Sequence, residues 1–366
     1  MEIDRNIEVD PFEVAERFKT EGHVKQVFPF GSGHINDTYK VITTGRNYLL
    51  QRVNQQVFMD VRGLTSNMIR VINYISGFVE NNNEQMKVLR PVLTLNNSYF
   101  FVDEDAGFWR MFDFIQDVLS YDKAENAMQA REGGRAFGWF LRSLDKFNVS
   151  SLGETIPGFH NAKVRYEAFC KAIESDRKKR LAEVQAEVDF LQSRAEEMMH
   201  VQILAENGDI PVRVTHNDTK INNVLFDEEG GAVCIIDLDT VMPGLSVYDF
   251  GDAVRTFANT ADEDAKELSD IHMNIEYFTA LAEGFLSETK DILNDPEKEN
   301  LALAAKYITW EQALRFLTDY LKGDLYYKTQ YIDHNLVRTR AQIALLKSME
   351  AQYETMRESI LKICQA

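Results

Sequence analysis

The sequence predicts an α+β chain of two lobes: a β-rich lobe over 1–111, a hinge at 112–117 and a mainly helical lobe over 118–366. Three observations carry that expectation. Short runs of alternating apolar and polar residues, punctuated by Gly and Asn, crowd the first third of the chain. Apolar residues at alternating spacings of three and four fill the last third, the period of helices that each bury one face. Between them His216-x-Asp218, with Asn223 five residues after Asp218, leads into a short strand, a Gly230-Gly231 turn and an apolar strand ending on Ile236-Asp237.

In chain order, Asp10 as N-cap and Pro11 at the first helical position start a short helix over 10–18. Strands follow at 24–30, 38–42 and 48–53. The first two are joined by Gly31-Ser32-Gly33-His34-Ile35-Asn36, and the next two meet at Thr43-Thr44-Gly45-Arg46, a hairpin signal. A helix over 60–80 holds Asn67 and Arg70 in its interior and has no Glu before Glu80. Strands at 92–95, 98–102 and 108–115 complete the lobe, the last leading through Phe112, Asp113 and Phe114 into helical sequence.

The second lobe opens with a helix over 124–147, whose Gly133-Gly134 costs helix stability but permits close packing. The polar region 161–206 includes Arg177-Lys178-Lys179-Arg180, read as a solvated helix face, and Asn207-Gly208-Asp209 with Pro211 ends it. Three long helices close the chain. One carries Leu268, Ile271, Ile275, Phe278, Ala282 and Phe285; the next carries Leu303, Tyr307, Trp310, Leu314, Leu317 and Leu321. The last carries Ile343, Leu346, Met349, Tyr353, Met356, Ile360 and Ile363. Arg315 lies just off the middle stripe, and Tyr326 follows the helix exit at Gly323-Asp324.

Composition narrows the classes. A net charge of −18 gives no general attraction to nucleic acid or anionic membrane, and no apolar run is long enough to span a bilayer. The acidic start MEIDRNIEVDPFEV lacks an apolar signal core, so a cytoplasmic protein is expected, with monomer as the default state. Three scattered cysteines make neither a disulfide framework nor a metal cluster.

The central motif suits one chemistry. Phosphoryl transfer from a nucleotide needs a carboxylate to take the acceptor's proton, and a carboxylate with an amide to hold Mg²⁺ against the phosphates. Asp218, Asn223 and Asp237 supply that set, and protein kinases space base and metal Asn in the same way. An Asp–Asn pair alone is ordinary turn chemistry; the hairpin closing on Asp237 is what sets this one apart.

The strings HNDTKINNVLFD, IDLDTVMPGLSVYDFGD and RFLTDYLKGDLYYK, with GSGHIN near the N-terminus, resemble the aminoglycoside phosphotransferase and choline kinase superfamily. Within it they are most similar to the N-acetylhexosamine 1-kinase group, over nearly the whole chain. The resemblance implies a protein-kinase-like bilobal fold binding ATP and Mg²⁺, with Asp218 as base and Asn223 and Asp237 on the metal. It implies Gly31, Ser32 and Gly33 over the phosphates, and the backbone of Phe112, Asp113 and Phe114 at the adenine, where buried aromatic core is an equal reading. The acceptor would be the C1 hydroxyl of an N-acetylhexosamine, giving the sugar 1-phosphate, a carbohydrate-metabolism role. His34, Asp218, Arg315 and Tyr326 would face that sugar, although a loop histidine, a surface arginine and a packing tyrosine are the plain readings. A related kinase for an aminoglycoside, an amino alcohol or another sugar is the alternative, and a silent kinase-like binding protein a further one.

Two departures stand out. The third strand ought to carry a lysine for the α/β-phosphates and offers only Arg52, with Gln51 beside it; a strand-edge arginine is an equal reading. Asp249-Phe250-Gly251 spells a kinase metal motif but lies too far downstream, in a Pro-Gly-rich loop, so Asp249 is read as a structural carboxylate bracing the catalytic loop.

Overall fold

The computed structural model describes residues 9–31 and 35–365. Helix α1 (Pro11–Ala15) starts where the Asp10 carboxylate accepts the Phe12 amide at 2.8 Å. Strands β1 (Val24–Pro29), β2 (Asp37–Thr43) and β3 (Tyr48–Arg52) run as an antiparallel meander. Helix α2 (Val61–Asn82) follows, capped by Asp60, before β4 (Pro91–Val92), β5 (Phe101–Val102) and β6 (Phe108–Asp113) complete the sheet. The order is β1-β2-β3-β6-β4, with β5 also on β6. β4 and β5 are shorter than the sequence predicts because a tight turn takes the residues between them, Thr94 N–H donating to Ser98 O at 2.8 Å.

Strand alternation divides the sheet's two faces. Val41, Tyr48, Leu50, Trp109 and Met111 pack with Val14 and Ala15 of α1 and with Phe18 just after it into a small core. Gln51, Arg110 and Phe112 take the other face, toward α2 and the second lobe. Helix α2 is bound to that lobe: Asn67 donates to Gly153 O at 2.7 Å and Val241 O at 3.1 Å and accepts the Gly153 amide at 3.1 Å. Arg70 adds a bond to Ser151 O at 2.8 Å. Met68, Val71, Ile72 and Ile75 of α2 belong to the same apolar core as the C-terminal helices.

In the helical lobe α3 (Ala127–Ser143) is followed by α4 (Ala162–Ser175), α5 (Gln185–Gln192), α6 (Ala195–Met198) and α7 (His200–Asn207). The Arg177–Arg180 run is therefore a turn and not a helix face: Asp176 and Lys179 take left-handed backbone, and Arg180 bonds to Asp324 at 2.6 Å. Four short strands carry the central motif: β7 (Arg213–Thr215) pairs with β10 (Met242–Gly244), and β8 (Val224–Phe226) with β9 (Ala232–Ile235). Helix α8 (Ser246–Phe257) comes next and is buried along almost its whole length. Asp249 thus sits in the first turn of a helix, where a loop was expected.

The remaining helices are α9 (Ile275–Thr289), α10 (Asp295–Glu299), α11 (Leu301–Lys322), α12 (His334–Ala351) and α13 (Tyr353–Gln365). Leu268 falls in a single 3-10 turn and Ile271 just after it, both before α9. The last stripe spans two helices, broken at Gln352, whose side chain donates to Met273 O at 2.9 Å. α3 and α9 cross at glycines: a Cβ on Gly134 would stand 2.2 Å from Leu281 O, and one on Gly284 1.9 Å from Arg131 O. α11 runs through the middle of the lobe, buried nearly all round. No helix among the described residues is long and apolar enough to cross a membrane.

Candidate active site

The loop after β7 is fixed from several sides. Asp249 accepts the amides of His216 at 2.8 Å and Asn217 at 2.7 Å, and its own carbonyl accepts the Thr219 hydroxyl at 2.6 Å. Asn217 adopts left-handed backbone (φ 63°), and its side chain donates to Thr240 O at 2.9 Å. The buried His216 ring bonds through Nε2 to Ile236 O at 3.0 Å and lies edge-on to Phe137 and Phe140. These bonds hold Asp218 at the mouth of the loop while tying it to the strand that ends at Asp237. Burial pushes the Asp249 carboxyl up to about 7 against the two amides that favour its ionised form.

Asp218, Asn223 and Asp237 are brought together. Asn223 Nδ2 donates to Asp218 Oδ2 at 3.0 Å and to Asp218 O at 2.8 Å, while Asn223 O accepts the Ile236 amide at 2.9 Å. With its nitrogen turned to Asp218, Asn223 keeps Oδ1 for another partner. Asp237 takes left-handed backbone (φ 60°), and its carboxylate lies close enough to Asp218, Asp239 and Lys220 for their charges to act on it. Burial raises its pKa, and the neighbouring Asp239 and Asp218 raise it further.

Lys220, which sequence reasoning passed over, stands 3.1 Å from Asp218 Oδ2. Burial opposes ionisation of Asp218, but Lys220, His216 and the Asn223 bond outweigh it and hold the carboxyl below its usual range. Among the described residues no three His, Cys, Asp or Glu side chains form a metal cluster. The donors on offer, a carboxylate and an amide oxygen, are the hard oxygens that suit Mg²⁺ sharing its shell with phosphates and water.

The other expected residues are scattered more widely. Gly31 is exposed with φ 80° and open space around it, whereas Ser32, Gly33 and His34 lie outside the described residues. Arg52 is a correction: one residue from Gln51, it turns to the opposite face of the sheet, over the Trp109 ring and 4.0 Å from Asp103. The buried cation on the cleft face is Arg110, whose guanidinium grips both oxygens of Asp239 and donates to Gln51 Oε1 at 3.0 Å. The backbone at 112–114, expected at the adenine, has two of its amides already engaged. Phe112 and Asp113 remain paired inside β6, and the amides of Asp113 and Phe114 already donate to Arg90 O at 2.9 Å and Asn47 O at 3.0 Å. Beside it Phe30 packs edge-on to Phe114, with Lys40 Nζ 4.0 Å from the Phe114 ring.

Arg315 and Tyr326 do meet. They line a cavity of about 130 Å³ with Arg165, Thr318, Asp319 and Tyr327. Asp319 shapes it by accepting three successive amides, Leu325 and Tyr326 at 2.9 Å and Tyr327 at 3.0 Å. Glu311, fully buried, lies 3.4 Å from Arg165 and 3.8 Å from Arg315 and bonds His160 Nδ1 at 2.9 Å. His160 Nε2 reaches Asn217 O at 3.1 Å, so the arginine cavity is linked through two side chains to the loop of Asp218.

A β-sheet lobe over a helical lobe, with an Asp–Asn–Asp set between strand ends, defines a phosphotransferase fold. The phosphotransferase enzyme family matches residues 27–275, and the chain belongs to that family. Its structure is similar to an aminoglycoside phosphotransferase from Alicyclobacillus acidocaldarius (TM-score 0.61, 13% identity, 97% of each chain). It is also similar to the microcompartment-associated aminopropanol kinase (TM-score 0.59, 13% identity, 94% of this chain and 97% of that one). A third likeness is to spectinomycin phosphotransferase APH(9)-Ia, in complex with ADP and spectinomycin (TM-score 0.51, 14% identity, 94% of each chain). Likeness at such identities establishes the kinase-like fold.

Proposed function

We propose that the protein is a small-molecule kinase that transfers the terminal phosphoryl group of ATP to the C1 hydroxyl of an N-acetylhexosamine. The observation that carries the kinase reading is the Asn223 bond to Asp218 at 3.0 Å, with the residue before Asp237 tied to the same asparagine by the Ile236 amide at 2.9 Å. Asp218 accepts the proton of the sugar hydroxyl as that oxygen bonds to phosphorus and the bond to departing ADP breaks. An anomeric hydroxyl is more acidic than an ordinary alcohol, so a carboxylate kept ionised by Lys220 suffices as base. Asn223 and Asp237 would hold Mg²⁺, which neutralises phosphate charge when bound. Lys220 adds a positive charge beside the oxygen that is losing its proton.

The choice of acceptor rests on the resemblance to the sugar 1-kinase strings, and the second lobe supports it. Two guanidiniums, Arg165 and Arg315, share one buried carboxylate beside the Tyr326 loop. Arg165, Arg315 and Lys322 outnumber the carboxylates of Asp319 and Glu311 there, which disfavours a polycationic aminoglycoside or a cationic amino alcohol and suits a neutral sugar whose product is an anion. The test is ADP release with ATP and a panel of acceptors. N-acetylglucosamine and N-acetylgalactosamine should lead; release driven by an aminoglycoside or choline, with the sugars silent, would replace the acceptor assignment. No release with any acceptor would favour the silent binding protein.

A further inference from the structure

β3 gives the cleft no cation, because its cleft-facing residue is Gln51 and Arg52 points away. The buried positive charge stands one strand over. Arg110, in register with Gln51, is 3% exposed and gives both terminal nitrogens to Asp239, one of them at 2.9 Å. Asp239 lies two residues past Asp237 and also accepts Asn36 Nδ2 at 2.7 Å. Asn36 closes the Gly-rich turn, and its Oδ1 accepts the Asn54 amide at 3.0 Å just beyond β3. One carboxylate on the floor of the cleft therefore ties down β6 and the end of the Gly-rich turn together.

A fully desolvated ion pair adds little stability over apolar side chains of the same size. Its placement between lobes, at the seam where phosphates would lie, points to another use. We propose that Arg110, Asp239 and Asn36 form a positioning clamp that sets the distance between Asn36, at the entry to β2, and the metal-binding loop, doing the work of a lysine–glutamate pair that β3 and the interior of α2 do not supply. Arg110 acts through Asp239 and need not touch a phosphate, since its donors are engaged within the protein. The clamp rests on the nucleotide reading of the cleft.

Calorimetric titration with ADP, once with Mg²⁺ and once with EDTA, tests it on the wild type and on Asn36→Ala, Asp239→Asn and Arg110→Met. The clamp predicts that the variants lose affinity for Mg·ADP on the order of tenfold while metal-free ADP binding barely changes. Asn36→Ala leaves the buried pair intact, so it carries the test should the other two fail to fold. An unchanged ratio of the two affinities with only a lowered unfolding midpoint would overturn the clamp in favour of a purely structural pair. An equal loss with and without metal would overturn it in favour of direct phosphate contact by Arg110. Wild type that binds no ADP under either condition would remove the nucleotide reading and the clamp with it.

Discussion

On the proposed function, Asp218 and Lys220 would set the chemistry at the scale of single side chains. Asp218→Asn should keep nucleotide binding and lower kcat by about 10²–10⁴-fold, the usual contribution of a positioned base; near-normal turnover would remove Asp218 from that role. Lys220 governs where the base titrates. A base must be ionised to accept a proton, and Lys220 holds the Asp218 carboxyl below its usual range. In Lys220→Met the largest of the influences opposing burial is gone, so the acidic limb of the kcat/KM profile should move to higher pH; a limb that stays in place denies Lys220 this part. If the Arg315 cavity takes the sugar as proposed, Arg315→Lys should raise KM for the sugar and leave KM for ATP unchanged, because the planar guanidinium is lost there and not at the nucleotide. The three residues at the core of this site were legible as a spaced motif, but Lys220 was not, since spacing does not say which way a loop residue turns. Arg52 was misread for a related reason: alternation shows that two faces exist, not which one meets the cleft. An arginine in the middle of the apolar strand FWRMFD was the available signal for Arg110.

Among the elements, α8 holds the loop of Asp218 through Asp249, and α3, which crosses α9 at glycines, packs Phe137 and Phe140 against His216. Asp249→Ala would orphan the buried amides of His216 and Asn217, at a cost of about 1–3 kcal/mol each, readable by denaturant unfolding. Gly284→Ala would press a methyl into Arg131 O and should cost about 1–3 kcal/mol or more by the same measurement. An unchanged midpoint would mean that the helices can part at little cost. The stripes of α9 and α11 were readable because each buries a face at a helical period. α8 was hidden, since Pro243-Gly244 just upstream reads as a loop and the helix starts only at Ser246. The 161–206 region was misjudged because left-handed turns at Asp176 and Lys179 leave no mark in polar sequence.

For the molecule as a whole, the division into lobes does not coincide with the division of the core. The sheet has a small core of its own, whereas α2 shares the large one with the C-terminal helices. Hydrogen exchange should therefore find α2 amides protected as strongly as those of α11 and more strongly than those of β1 and β2; exchange of α2 in step with the sheet would contradict that partition. The two-lobe plan was legible from the order of strands and helices, but the allegiance of α2 was not, because it depends on what Asn67 and Arg70 reach across the chain. That allegiance has an implication for control. Where a signalling kinase needs a glutamate on this helix, Asn67 fastens it to the second lobe instead, so any swing of α2 would have to break the three Asn67 bonds and part the apolar core it shares with the C-terminal helices.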